Sequence, residues 1–192
     1  MRAPTSARLA CISDEEEDRA LAERVRQGDR EAFTALVVRY QRPVYNAALW
    51  VLRRAEDASD VSQTVFLKVA ERIDDYDPRF KFFSWIYRIA VNESLNLLRR
   101  HDREQPLGDD YDADDDGAAD PERRLDAAER SQHVRRALMR MATNDRLVLM
   151  LRHFSDCSYD EMAQILGLDE KTVKSRLYEA RQRLRGLLEE LR

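Results

Sequence analysis

"SYDEMAQILGLDEKTVKSRLYEARQRLR" occupies residues 158–185, and its punctuation decides what kind of fold the chain supports. Ser158 followed by Glu161 is a capping box, in which two side chains satisfy two orphan amides at the start of a helix. Gly167 suits the left-handed stop of that helix, and Asp169 caps the next one at once. In the second helix Val173, Leu177, Ala180, Leu184 and Leu187 recur at three- and four-residue spacing, a stripe for docking onto a domain. Lys171, Lys174, Arg176, Arg181, Arg183 and Arg185 supply cations, while Lys174, Ser175 and Tyr178 face outward near the N-terminal end. Short helix, glycine turn, basic helix is the helix-turn-helix pattern. Its second helix places N-terminal residues in the major groove while flanking Lys and Arg hold phosphates. A solvated basic face on an ordinary helical hairpin would explain the charges, but not the capping box, glycine and basic helix together.

The rest of the chain agrees with a helical protein. Of 192 residues 36% are charged and only 5 are glycine, and no run alternates with the two-residue period of a strand. The expected fold class is all-α, with two small helical domains. No apolar run reaches the length that spans a bilayer, so no membrane insertion is expected. The opening "MRAPTSARLACIS" lacks the apolar core of a secretory signal. Cys11 and Cys157 are too few and too distant for a disulfide framework, which points to a reducing, cytoplasmic setting.

Charge is segregated in blocks. Residues 102–122 hold ten carboxylates against one arginine, so the net charge of −4 leaves +5 on the remainder. The stretch 101–124, rich in Asp and carrying Pro106, Gly108, Gly117 and Pro121, reads as a flexible acidic linker that cannot bury enough surface to order itself. The expected organisation is a disordered segment 1–13, a helical domain 14–100, the linker 101–124 and a second helical domain 125–192.

Within the first domain four helices are expected. One starts on the acidic run "DEEED" and stops at Gly28. A second is capped by Asp29, with Pro43 kinking or breaking it. A third spans about 56–73 and a fourth about 82–100. Between the last two lies "DDYDPRFK" (residues 74–81), a turn-forming stretch. From Tyr76 to Tyr87 the chain places six of its fifteen aromatic residues, interleaved with Arg79 and Lys81. Phe83, Ile86 and Ile89 have the spacing of core. Tyr76, Phe80 and Lys81 on the loop, with Trp85, Arg88 and Asn92 on the helix, form a candidate set for holding an unpaired base, since stacking on a ring is worth about 1–3 kcal/mol per base. Taken alone, the cluster reads more simply as core. Glu56, Asp57, Asp60, Gln63 and Thr64 make a polar face on the third helix, either solvated or a dock for a basic protein partner. No catalytic motif, phosphate loop or paired metal-ligand spacing is present, so no enzyme activity, metal or cofactor is expected; His153 and Cys157 lack a second ligand pair.

Four blocks, "DREAFTALVVRYQ" (29–41), "DVSQTVFLKV" (60–69), "FFSWIYRIAVNESLNLLRR" (82–100) and the stretch 158–185, give the chain its resemblance to the extracytoplasmic-function (ECF) class of bacterial RNA polymerase sigma factors. The resemblance covers about 17–100 and 125–188. It implies that 14–100 is a region 2-like domain and 125–192 a region 4-like domain. It implies that the helix with Asp57, Asp60, Gln63, Thr64 and Phe66 docks on the clamp of the polymerase β′ subunit. Tyr76, Phe80, Lys81, Trp85, Arg88 and Asn92 would melt and read the −10 promoter element, with Tyr76 and Asn92 lining a base pocket. Lys171, Thr172, Lys174, Ser175, Arg176, Tyr178 and Arg181 would read the −35 element, and the same domain would contact the β flap. Implied partners are core RNA polymerase, promoter DNA and an anti-sigma factor. Glu179 departs from the family, standing where many members carry a basic residue. Two other readings remain at this level: a stand-alone helix-turn-helix regulator, and a module that binds the polymerase clamp without initiating.

Overall fold

A computed structural model describes residues 15–104 and 125–190, with side chains for all of these except 102–104 and 125–132. The expectations for 1–13, for Cys11 and for the acidic stretch 105–124 lie outside the described residues. Among the described residues the regular structure is helical: α1 (Glu15–Arg26), α2 (Arg30–Leu52), α3 (Ala55–Arg72), a 3-10 turn (Ile73–Asp75), α4 (Phe82–Glu104), α5 (Leu125–Arg140), α6 (Thr143–His153), α7 (Tyr159–Leu166) and α8 (Glu170–Glu190). The all-α expectation holds.

Local chemistry explains most boundaries. α1 carries Glu15, Glu16, Glu17 and Asp18 in its first turn and Arg24 and Arg26 in its last, each sign opposite to the helix dipole. Gly28 follows at φ +87°, and Asp29 Oδ1 accepts the amides of Glu31 (2.9 Å) and Ala32 (3.1 Å) to start α2. Of the two outcomes expected at Pro43, a kink or a break, the break does not occur: α2 runs on to Leu52. The missing backbone bond costs about 3 kcal/mol, and burial of Leu36, Tyr40, Val44, Ala47, Ala48 and Val51 along the same helix outweighs it. α4 also continues past Arg100 to Glu104, into the stretch read as linker, because the first helix breaker is Pro106.

α2, α3 and α4 pack on one another around Val44, Ala48, Val51, Ala58, Val65, Val69, Ile86 and Ala90, and α1 closes one side. Asp18 pins α1 down. It is buried, and its carboxylate accepts from the Arg39 guanidinium and the Tyr40 hydroxyl. Burial pushes its pKa above the ordinary range despite these donors.

α6, α7 and α8 form the second unit, with α5 lying on α8. Seven consecutive residues of α6, Asp145 to Leu151, are buried, so this helix has neighbours on every side. One side meets α8 and another meets α2; α7 in turn packs on α4. The two units therefore share a single contiguous core. Polar and aromatic contacts cross it at the α2 end. Trp50 stacks on Phe154 with ring centroids 5.0 Å apart. Arg53 donates to the Met139 carbonyl at 3.0 Å. Arg146, 2% exposed, donates to the carbonyls of Trp50 (2.6 Å) and Val51 (3.2 Å).

Candidate nucleic-acid interface

The loop after the 3-10 turn is built by short-range bonds. Asp77 Oδ1 accepts the Arg79 amide at 3.0 Å, and its carboxylate also holds the Arg79 guanidinium. Those bonds, the side chain's first and the backbone's second, keep the Asp77 carboxyl below its ordinary range. The Phe80 amide closes the turn on the Asp77 carbonyl at 3.1 Å. Arg26, at the end of α1, reaches across to the carbonyl of Tyr76 at 3.0 Å and fixes where the loop begins.

Tyr76 is not on the surface of this loop. Its ring is 3% exposed and packs edge-on against Phe82 (5.3 Å between centroids) and tilted against Trp85 (5.6 Å). Its hydroxyl donates to the Phe80 carbonyl at 2.9 Å. The expectation of an exposed stacking ring is corrected: Tyr76 supports the loop from below, and Phe80, 46% exposed, is the ring presented to solvent. Lys81 is half-buried and engaged elsewhere, with Nζ 2.5 Å from Glu15 and 2.9 Å from Glu161 of α7. Both carboxylates raise its pKa, so it is charged at any physiological pH.

Trp85, Arg88 and Asn92 do come together. They line an open cleft of about 360 Å³ between α3 and α4. Two cations that sequence reasoning missed, Lys68 and Arg72, enter the same cleft from α3. Lys68 is paired with Glu93 (2.6 Å) and Arg72 with Asp75 (2.9 Å). Helical spacing could have found them, since positions 68 and 72 lie one turn apart on one side of α3. A ring, an amide with both donor and acceptor, and three cations, two of them paired with carboxylates, are groups of the kind that hold an unstacked base and its phosphates.

The outer face of α3 carries Asp60 and Gln63 exposed, while Thr64 is half-buried and donates to the Asp60 carbonyl at 2.9 Å. Asp57 is half-buried, 3.6 Å from Arg54 and from His101. Phe66 does not belong to this face: it is 9% exposed and points into the core, a correction that follows from its falling one residue after Val65 on the inner stripe. The apolar residue that does face solvent is Leu67, 64% exposed and one turn beyond Gln63. A spacing of four from Gln63 marks it in the sequence.

The helix-turn-helix forms as its punctuation requires. Ser158 Oγ accepts the Glu161 amide (3.2 Å) and Glu161 Oε2 accepts the Ser158 amide (2.6 Å). Gly167 sits at φ +64°, and Asp169 accepts the amide (2.8 Å) and hydroxyl (2.7 Å) of Thr172. Val173, Leu177 and Ala180 are buried, which turns Lys171, Lys174, Ser175, Arg176 and Tyr178 to solvent. Thr172 is half-buried and serves the cap. Lys174 pairs with Glu170 (2.7 Å) and lies 5.2 Å from the Tyr159 ring centre. Arg181 donates to His153 Nε2 at 3.3 Å; burial first, then Arg181 and Arg152, keep that imidazole's pKa below its ordinary value. Glu179 bonds Arg183 (3.2 Å), which also grips Asp145 of α6 (2.6 Å). The departure at Glu179 thus belongs to an ion-pair chain along the helix.

Known proteins agree with this layout. The family profile described as sigma-70 region 2 matches residues 36–104, and that of sigma-70 region 4 matches residues 131–184. The ECF RNA polymerase sigma-E factor of Escherichia coli K12 is 34% identical over 181 residues, covering 89% of this chain and 94% of its own. The RNA polymerase sigma-H factor of Pseudomonas aeruginosa is 30% identical over 186 residues, covering 92% and 96%. Among solved structures, the sigma factor RpoE of Bartonella quintana in complex with the anti-sigma factor NepR has a TM-score of 0.64 at 26% identity, covering 82% of this chain and 96% of that one. With two sigma-70 regions in order and similarity along nearly the whole length, the chain belongs to the ECF class of the sigma-70 family and is an alternative sigma factor that directs transcription initiation.

Proposed function

We propose that this sigma factor divides its work among three exposed surfaces. The outer face of α3, with Asp60, Gln63 and Leu67, docks on the clamp of core RNA polymerase. The loop ring Phe80 and the cleft of Trp85, Arg88 and Asn92 open the −10 element and hold an unstacked base. The N-terminal face of α8, with Lys171, Lys174, Ser175, Arg176 and Tyr178, reads the −35 element, while Arg181 and Thr172 set the helix in place. The units correspond to 14–100 and 125–192, and the protein acts in the cytoplasm as a non-enzymatic polymerase subunit. An anti-sigma factor is a fitting regulator, as for the Bartonella relative. The observation that carries the −10 assignment is the convergence of Trp85, Asn92 and Arg88 with Lys68 and Arg72 in one open cleft. Unstacking a base costs a few kcal/mol, and stacking on a ring returns about 1–3 kcal/mol; docking on polymerase supplies the remainder.

Run-off transcription with core polymerase on promoter fragments tests this. Wild-type chain should give discrete starts sharing two spaced elements. A Trp85→Ala, Asn92→Ala double variant should bind core polymerase normally and lose strand opening at least about tenfold, the worth of one stacked base. Normal strand opening by that variant would refute the cleft assignment.

A further inference from the structure

The cleft assigned to the unpaired base is nearly neutral. Lys68, Arg72 and Arg88 bring three cations to it, and Asp75 and Glu93 bring two carboxylates, which leaves +1. Lys68 Nζ lies 2.6 Å from Glu93 Oε1, and Arg72 Nε lies 2.9 Å from Asp75 Oδ2. Arg88 is exposed and has no carboxylate partner among the described residues. The α8 face is built otherwise. There Lys174 is paired with Glu170, but Lys171 and Arg176 carry no such partner among the described residues. One surface offers phosphates free cations; the other offers cations that are mostly held already.

The two pairs in the cleft differ in kind. Arg72 closes α3 and Asp75 lies in the 3-10 turn, with 64% and 57% of their side chains exposed, so water and salt screen that pair. Glu93 belongs to α4 and Lys68 to α3, so their bond ties the two walls together, and the Glu93 side chain is only 16% exposed. Lys68 keeps 34% of its side chain open to solvent, within reach of a strand lying in the cleft. A phosphate must therefore compete with Glu93 for Lys68 and is itself repelled by that carboxylate. A base meets no such opposition, since the Trp85 ring and the Asn92 amide are neutral.

We infer that Glu93 is a specificity-determining residue for strand capture: it occupies Lys68, so that the cleft holds a strand by its base and not by its backbone. Discrimination needs rejection of the wrong ligand as well as attraction of the right one, and here the wrong ligand is any nucleic acid whose bases stay stacked. Phosphate contacts carry no sequence information, so a free cation in the cleft would favour all of these alike through counterion release. With Lys68 held, that shared affinity is lowered, and stacking on Trp85 with the bonds of Asn92 decides which strand stays. The inference rests on the cleft assignment made above and adds what the cleft refuses.

Fluorescence anisotropy of a labelled oligothymidylate, titrated with the full chain at several salt concentrations, reads the effect without polymerase. Each phosphate neutralised on a single strand adds about 0.7 to the slope of log K against log salt. Glu93→Gln, which frees Lys68, should steepen that slope by about 0.7 and tighten binding about fivefold near 0.1 M salt. Adding Lys68→Met should remove the gain. Glu71→Gln, the same charge change at an exposed position of α3 outside the cleft, should keep the wild-type slope. In run-off with core polymerase, Glu93→Gln should narrow the ratio of promoter to promoter-free template about fivefold. Circular dichroism establishes that the variant folds; if it does not, Asp75→Asn, which frees Arg72 at an exposed pair, carries the same test. The inference is overturned if the folded variant binds the oligonucleotide no more tightly and with the wild-type slope, or if the template ratio does not move. It is equally overturned if Glu71→Gln gains as much, or if Lys68→Met leaves the gain in place. Failure of the cleft assignment looks different: the slope steepens as expected while the Trp85→Ala, Asn92→Ala variant still opens DNA, which keeps the hold of Glu93 on Lys68 and removes the base.

Discussion

Replacing Tyr76 separates two roles that the sequence could not tell apart. As a surface platform for a base, its ring would be dispensable for folding and essential for strand opening. The structure makes it a buried support, 3% exposed, wedged between Phe82 and Trp85. Truncating such a ring to Ala removes its packing and leaves a void, costing about 3–5 kcal/mol. For a chain of this size each kcal/mol is worth about 2–4 °C in melting temperature, so Tyr76→Ala should melt roughly 6–20 °C lower than wild type. Tyr76→Phe keeps the ring and gives up only the hydroxyl's bond to the Phe80 carbonyl, worth about 1 kcal/mol. It should melt within a few degrees of wild type, and its defect should be confined to the Phe80 loop. Urea and thermal unfolding, paired with permanganate footprinting of the −10 thymines, measure both sides. A Tyr76→Ala protein that unfolds like wild type yet fails to open DNA would refute the supporting role and restore the stacking one.

Two further outcomes follow from the helix-turn-helix. Gly167→Ala should cost about 1–2 kcal/mol from the left-handed backbone alone, because nothing lies within 4 Å of the added Cβ; a loss well above that in urea unfolding would mean that the turn is packed more tightly than described. Glu161 is buried, which favours its neutral form, but the Ser158 amide, the Lys81 ammonium and the Ser158 hydroxyl together hold its pKa below the ordinary value. A depressed carboxyl contributes stability that is fully present above its unfolded pKa, about 4.3, and is lost as pH falls through the folded value below it. Glu161→Gln should therefore be less stable than wild type at pH 7, and the gap should narrow towards pH 3; a gap independent of pH would show that the charge plays no part.

What could be read from the sequence divides by the range of the forces involved. The capping box of Ser158 and Glu161, the stop at Gly167 and the caps at Asp29 and Asp169 are settled within four residues, and all were legible. So was the stripe of Val173, Leu177 and Ala180. Arg146 was not: nothing within a turn of it announces that its partners are carbonyls 95 and 96 residues away. Tyr76 and Phe80 looked alike as loop aromatics, and only the packing of Phe82 and Trp85 beneath the loop decided which ring is buried. Pro43 carries a strong local signal that three-helix packing overrides. Phe66, expected on the outer face of α3, falls on the inner one, a single residue before the exposed Leu67. Arg146 and Pro43 were decided by chain far away, Tyr76 and Phe66 by neighbours within a few turns.

The chain has two tryptophans, and the fold has placed one at the seam between the units and one in the candidate cleft. Trp50 is stacked on Phe154 across the seam between the units, and Trp85 lines the cleft assigned to the unpaired base. Separation of the units gives the first indole to water and shifts its emission to the red. Insertion of a base against the second quenches it. The unlabelled protein therefore emits light that distinguishes a change at the seam from one in the cleft.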